Sequence, residues 1–320
     1  MKNYILILSL FISTIGVGQL VPAAEENIPF LVTFGKGAPT SFGDDDHCQV
    51  FFFSIPEENK KPIYIRIHDP ENGGLHDEIV GDADSKTRFS LYGGKGCVSH
   101  KDSRSTEPVG EFKSGNLLNT KTFGVDAEYD DKWFTFGPFN PTEGEFSALY
   151  GGYVFKVIAE GIVGNDGNLY KYFLSSSPTS NIAVEGANAF TFEYSFRLHD
   201  DAKQVSHIYP YIDNKVVSVK QTNFDWDNDG IIVISSIAVV NYRVSVSGDD
   251  NKVTSEYIIK EKEKGKSLDI QFRKHPLRPA KNNNVVLYVT NQFGEYLPFF
   301  AIPIGGVPQF KAESSATPLD

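Results

Sequence analysis

Asp225-Trp226-Asp227-Asn228-Asp229-Gly230 sets three carboxylates at alternate positions and closes them with a glycine. Alternating acids in a tight turn converge on one hard cation, and the glycine permits the sharp bend. The carbonyl of Ile231 can add an oxygen. Asp225, Asp227, Asp229 and Ile231 are therefore the first candidate calcium ligands. The run is not a full EF-hand loop, because its twelfth position is Ser236 and not a glutamate. The residues that follow, IIVISSIAVV, read as strand. The expectation is a structural calcium loop capping a strand; an acidic turn without an ion is the competing reading.

A second acidic group contains Asp44-Asp45-Asp46 and, in HDPENGGLHDE, Asp69, Asp77 and Glu78. If the apolar segments 50–55 and 63–67 pair as neighbouring strands, Asp45, Asp69 and Asp77 gather at adjacent loops as a second calcium set. Solvated turn acids are the alternative. His47, His68, His76 and His100 fall in the same region, but their spacing matches no zinc motif, so surface histidines are expected. There is no G-x-S-x-G, no phosphate loop and no dinucleotide fingerprint. A carboxylate pair for glycoside hydrolysis stays open, since carboxylate separation is not legible in a sequence. Trp133 and nearby Tyr129 are the candidate ligand-binding rings, because a flat apolar ring can stack on a sugar. Trp133 and Phe134 would lie on opposite faces of a strand, so one of those two belongs to the core.

The elements that must position these groups read as β almost throughout. In AFTFEYSFRL, Phe190, Phe192, Tyr194, Phe196 and Leu198 alternate, which predicts one half-buried strand over 189–198. Ile63, Ile65 and Ile67 alternate likewise, as do Val240, Tyr242, Val244 and Val246. Turn-forming clusters at 70–74, 164–168 and 248–251 separate the runs. Many short strands with frequent turns predict an all-β chain of two β-sandwiches in tandem, jelly-roll-like over 24–199 and immunoglobulin-like over 205–306. The boundary is placed in the polar connector HDDAKQVSH. The stretch from about 93 to 132 reads as an elaborated loop, a usual seat of binding function. The tail, 307–320, reads as disordered.

Lys2 followed by the apolar run 5–17 and by Val21-Pro22-Ala23-Ala24 has the form of a secretory signal, with cleavage expected near Ala23 or Ala24. The run is too short to span a bilayer, which takes roughly 20 residues. No other run is long enough for a transmembrane helix. A secreted or periplasmic protein is expected. Residues 24–198 carry 26 Asp and Glu against 15 Lys and Arg. Such a surface disfavours nucleic acid and anionic membrane as partners. In an oxidising compartment Cys48 and Cys97 are expected to pair. Closing that loop would stabilise the fold by roughly 4 kcal/mol.

DDDHCQVFFFSIPEENKKPIYIRIHDPENGG, then TRFSLYGG, then YVFKVIAEGIVGNDGNLYKYFLSSS resembles the bacterial pre-peptidase C-terminal type of domain, over roughly residues 44–175. The resemblance implies a jelly-roll-like sandwich appended to secreted enzymes, sometimes calcium-binding, sometimes engaged with substrate or matrix. The stretch from about 95 to 132 is an insertion relative to that pattern. The expected function is a secreted, non-catalytic β-sandwich protein with a structural calcium loop that binds a glycan or a cell-surface protein. A polysaccharide hydrolase using carboxylates of the first unit, and a structural envelope protein, are the alternatives.

Overall fold

The computed structural model describes residues 20–39, 47–106, 112–248, 251–278 and 280–306. The apolar part of the expected signal, Asp45 and the tail therefore lie outside the described residues. The first half forms β1 (Leu20–Val21), β2 (Phe30–Phe34), β3 (Cys48–Pro56), β4 (Ile63–His68), β5 (Lys86–Gly93), β6 (Asn116–Phe123), β7 (Trp133–Phe139), β8 (Glu145–Ser147), β9 (Gly152–Val163), β10 (Gly167–Ser175), β11 (Asn188–Thr191) and β12 (Glu193–Arg197). The second half forms β13 (Val205–Ile208), β14 (Tyr211–Ile212), β15 (Ser218–Phe224), β16 (Gly230–Ser235), β17 (Tyr242–Val244), β18 (Val253–Ile258), β19 (Lys266–Ser267), β20 (Asp269–Lys274), β21 (Asn284–Asn291) and β22 (Phe299–Phe300). Among the described residues the only helical pieces are short 3₁₀ turns, and no helix is long and apolar enough to cross a membrane. The chain is all-β, as its alternation predicts.

One long antiparallel sheet runs β18-β15-β21-β12-β2-β10-β4-β7, with β1 added to β10. A second sheet, β22-β11-β3-β9-β5-β6, packs over its β2-β10-β4-β7 half. Phe51 of β3 meets Tyr172 of β10 at 5.6 Å, and Phe89 of β5 meets Tyr170 at 5.0 Å, edge-on. Offset and edge-on pairs of this kind fill the space between two sheets while keeping the ring quadrupoles attractive. The four-stranded sheet β13-β20-β16-β17 contributes Ile232, Ile234, Ile270 and Phe272 to the same core cluster as Val219, Val285 and Leu287 of the long sheet. Phe196 contacts Phe272 at 5.2 Å, beside the wholly buried Trp226.

The two sandwiches thus share one continuous sheet. β12 pairs with β2 on one side and with β21 on the other. β22 of the second half closes the edge of the first half's sheet at β11. The connector expected at 199–207 separates the halves in sequence and not in hydrogen bonding.

The single strand predicted over 189–198 is two strands. β11 pairs with β3 while β12 pairs with β2, so the chain crosses from one sheet to the other at Phe192. Phe190 and Phe192 pack in one apolar cluster and Tyr194, Phe196 and Leu198 in another. The Thr191 hydroxyl lies 2.6 Å from the Val50 carbonyl and 2.7 Å from the Glu193 carbonyl, so its one proton serves either acceptor at the crossing.

The expected disulfide is not formed; Cys48 and Cys97 are not bonded to each other. Cys48 lies opposite Glu160 on β9, whereas Cys97 sits beside Lys156 of the same strand. Four residues along a strand span roughly 13 Å, well beyond disulfide reach. Cys97 instead donates to the Tyr92 carbonyl at 3.5 Å, and burial pushes its thiol up to about 12.

Candidate metal centre at the β4 and β7 loops

β4 and β7 are neighbours, with His68 opposite Trp133, so the turn leaving β4 meets the turn entering β7. Asp69 begins the first turn at φ 54°, a left-handed backbone that Asp tolerates better than most residues. Its N–H donates to the Lys132 carbonyl and its Oδ1 accepts the Asp131 N–H, both at 2.8 Å. Glu71 Oε2 accepts the Asp126 N–H at 2.9 Å, and Asp130 Oδ1 accepts the Leu75 N–H at 3.1 Å. From below, Asn168 Nδ2 donates to the carbonyls of Pro70 and Glu71 at 3.0 and 2.9 Å. Each acid thus uses one oxygen to bind the two turns together.

The three carboxylates also approach one another. Asp69, Glu71 and Asp130 each offer an oxygen, and the three lie within 4.8 Å of one another. Asp69 is 0% and Glu71 1% exposed. Asp69 Oδ2 and Glu71 Oε1 are buried with no hydrogen-bond partner. Burial and the neighbouring acids push both carboxyls above the ordinary carboxylate range. Gly74 keeps the space open: a Cβ there would stand 2.3 Å from Asp130 Oδ1 and 2.4 Å from Glu71 Oε1. Calcium–oxygen bonds of about 2.4 Å allow ligands up to about 4.8 Å apart. Three carboxylates without His or Cys suit a hard cation and not zinc.

Of the residues expected for a second calcium set, Asp69 is in this cluster and Asp77 is not. Asp77 accepts the N–H groups of Gly73 and Leu169, both at 2.7 Å, and burial raises its carboxyl to about 8. Glu71 and Asp130 were not singled out as ligands by sequence reasoning. Glu71 had a signal, the Asp69-x-Glu71 alternation in a turn. Asp130 is some sixty residues away, and only the β4–β7 pairing brings it in.

The Asp225–Gly230 run does not gather its acids: its three carboxylates form no cluster within 4.8 Å. Asp229 Oδ2 accepts the backbone N–H groups of Lys281 and Asn282, and the Asp225 carbonyl accepts from Asn282 Nδ2 at 2.6 Å. The Trp226 N–H bonds Ser247 Oγ at 3.1 Å. The run seats Trp226 in the large shared core and ties down the 281–282 turn. Ile231 lies in β16, opposite Arg273. The adjoining cavity, about 390 Å³, is lined by Asp227 and Asp229 but also by His275, Arg278 and Lys281. Its mixed charge does not select a cation.

Trp133 and Tyr129 do not form one platform. Tyr129 packs inward against Phe123 and Phe134, with Lys121 Nζ 4.3 Å from its ring centre. Trp133 lies on the outer face, 5.0 Å from His68 and 6.4 Å from Phe173, with the Arg66 guanidinium 5.0 Å from its ring centre. The strand alternation that separates Trp133 from Phe134 also separates it from Tyr129. His68 and His76 each approach Asp131 Oδ1 at 3.3 Å.

No protein-family model matches the chain, and no curated protein matches it.

Proposed function

We propose that this is a secreted, non-catalytic β-sandwich protein that holds a structural calcium ion between Asp69, Glu71 and Asp130 and binds a glycan at its surface. The observation that carries the calcium reading is the pair of buried, unpartnered oxygens, Asp69 Oδ2 and Glu71 Oε1, beside the space left by Gly74. A bare cluster of three acids costs the fold desolvation and mutual repulsion; a divalent cation offsets both. The weak resemblance to pre-peptidase C-terminal domains, some of which bind calcium, is in keeping with it. The secretory form of the N-terminus supports an extracellular setting, where calcium is abundant. The glycan half of the reading rests on the partly exposed Trp133 beside this site.

The hydrolase alternative is not favoured. Asp69 is sealed from solvent, and both oxygens of Asp77 are held by backbone N–H groups, so neither can reach a glycosidic bond. The test is calorimetric titration of chelator-treated protein with calcium, beside depletion by insoluble polysaccharides with the supernatant assayed for sugar. One-site calcium binding lost in Asp130→Asn, and depletion without sugar release, are expected. Absence of calcium binding would overturn the metal reading, and sugar release the non-catalytic one.

A further inference from the structure

We infer that the secretory signal is cut between Gly18 and Gln19, so that the mature protein begins at Gln19 and keeps Leu20–Ala23. This rests on the secreted reading proposed above and deepens it by assigning the processing site. Two places after the start of the apolar run end on small residues: Gly16-Val17-Gly18 and Val21-Pro22-Ala23-Ala24. Both have the small-residue form of a cleavage site. The Gly18–Gln19 bond itself lies outside the described residues. What selects it is the structure of the residues that follow.

β1 pairs Leu20 with Phe173 and Val21 with Tyr172 of β10. Over the same stretch β4 occupies the other flank of β10, from Lys171 to Ser175. β1 therefore lies on the flank that β2 takes at Gly167–Tyr170, and continues it. Without β1 that flank of β10 becomes an open edge. Val21 and Ala23 then enter the large core cluster, together with Ile28, Tyr172 and Tyr194. The Ala23 N–H donates to Glu26 Oε2 at 2.6 Å, beside the Tyr194 hydroxyl that donates to the same oxygen of this buried carboxyl. The 3₁₀ turn that follows, Ala24–Glu26, is held to the second half, where the Tyr209 hydroxyl donates to the Glu25 carbonyl at 2.9 Å. A cut after Ala23 or Ala24 would discard a strand, two core side chains and a donor to a buried carboxyl. A discarded signal has no part in the finished core, so residues that the core uses belong to the mature chain. The cut after Gly18 removes the whole apolar run 5–17 and nothing that the described fold contains. It is a hydrolysis: one water is consumed, and the peptide bond gives the Gly18 carboxylate and the Gln19 amine.

The experiment is expression of the 320-residue chain in a bacterial host, with the intact mass and the N-terminal peptide of the exported protein read by mass spectrometry. Expected is one mature species beginning at Gln19; an open glutamine and its lactam, lighter by one ammonia, report the same cut. Gly18→Tyr puts a bulky residue before the bond and is expected to abolish that species. Ala24→Pro is expected to leave it unchanged. Proline is accepted at the first position of a helical turn, and here it makes the Ala23 bond a tertiary amide and sets a ring before the next bond. An exported protein that begins at Ala24 or Glu25, kept in Gly18→Tyr and lost in Ala24→Pro, overturns the inference and leaves the secreted reading standing. A chain that is not exported and keeps Met1–Gly18 overturns both.

Discussion

The Asp131 N–H donates to Asp69 Oδ1 at 2.8 Å, and this bond joins the turn after β4 to the turn before β7. It leaves Asp69 Oδ2 buried without a partner, facing a cluster that Glu71 and Asp130 complete. Removing one charge should therefore act with opposite sign in the two cation states. In calcium, Asp130→Asn is expected to lose the linkage stabilisation, about 2.7 kcal/mol at a hundredfold excess over Kd. In EDTA the same change relieves like-charge repulsion and should leave the protein as stable as the parent, or more so. Thermal melts in both buffers check it; a loss of equal size in both would reduce Asp130 to a turn cap.

Gly74 gives an independent check of the same geometry. Alanine there would place a methyl within 2.4 Å of both Asp130 Oδ1 and Glu71 Oε1. Gly74→Ala is expected to weaken calcium affinity at least tenfold, read by calorimetry, because the methyl occupies the space the ion needs. Calcium binding at parental affinity would place the ion elsewhere.

Much of the fold is legible because alternation is a direct imprint of a pleated, half-buried surface. Ile63, Ile65 and Ile67 of β4 are found this way, whereas of the Val240–Val246 alternation only Tyr242–Val244 is strand, with Val240 and Tyr242 exposed. β6 is missed, since NLLNTKTF is a largely exposed edge strand and lacks the apolar alternation that marks a buried face. The break at Phe192 is missed because both strands keep period two while changing sheets. The site is half legible. Asp69 belongs to a conspicuous acidic turn, but Asp130 joins it only through strand pairing. The Asp225–Gly230 run carries the stronger motif, yet its Asp229 is spent on a turn: a carboxylate accepting backbone N–H groups needs no ion, and sequence does not distinguish the two uses.

That distinction is testable at Asp229. Its Oδ2 accepts two backbone N–H groups, from Lys281 and Asn282. Asp229→Ala leaves both donors unsatisfied, at a cost of about 1–3 kcal/mol. Urea unfolding should show the same loss in calcium and in EDTA. A loss confined to calcium would restore the run as a cation loop.

The N-terminal segment belongs to the fold from Leu20 onward. Leu20 and Val21 pair with Phe173 and Tyr172 of β10, and Val21 and Ala23 are 1% and 2% exposed. Cleavage at the expected Ala23 or Ala24 would remove this strand. A chain beginning at Ala24 is expected to be less stable than one beginning at Gln19, by about 2–4 kcal/mol from lost apolar burial and strand pairing. Paired melts of the two chains check it, and equal midpoints would show β1 to be dispensable.

Ala23 also ends in a buried contact whose pH dependence can be worked out. Its N–H donates to Glu26 Oε2 at 2.6 Å, and the Tyr194 hydroxyl donates to the same oxygen at 3.0 Å. Burial raises the Glu26 carboxyl from an ordinary 4.5 to about 8, against those two bonds, which lower it. The folded state therefore keeps a proton that the unfolded chain has released. Stability from this group is fully present below about pH 4.5, declines as pH rises, and is lost by the time pH has passed about 8. Within that window the slope approaches about 1.4 kcal/mol per pH unit. Glu26→Gln retains an acceptor for both donors but has no proton to lose. Urea midpoints from pH 5 to 8 should fall more steeply for the parent than for Glu26→Gln, and parallel profiles would mean that Glu26 does not titrate in this range.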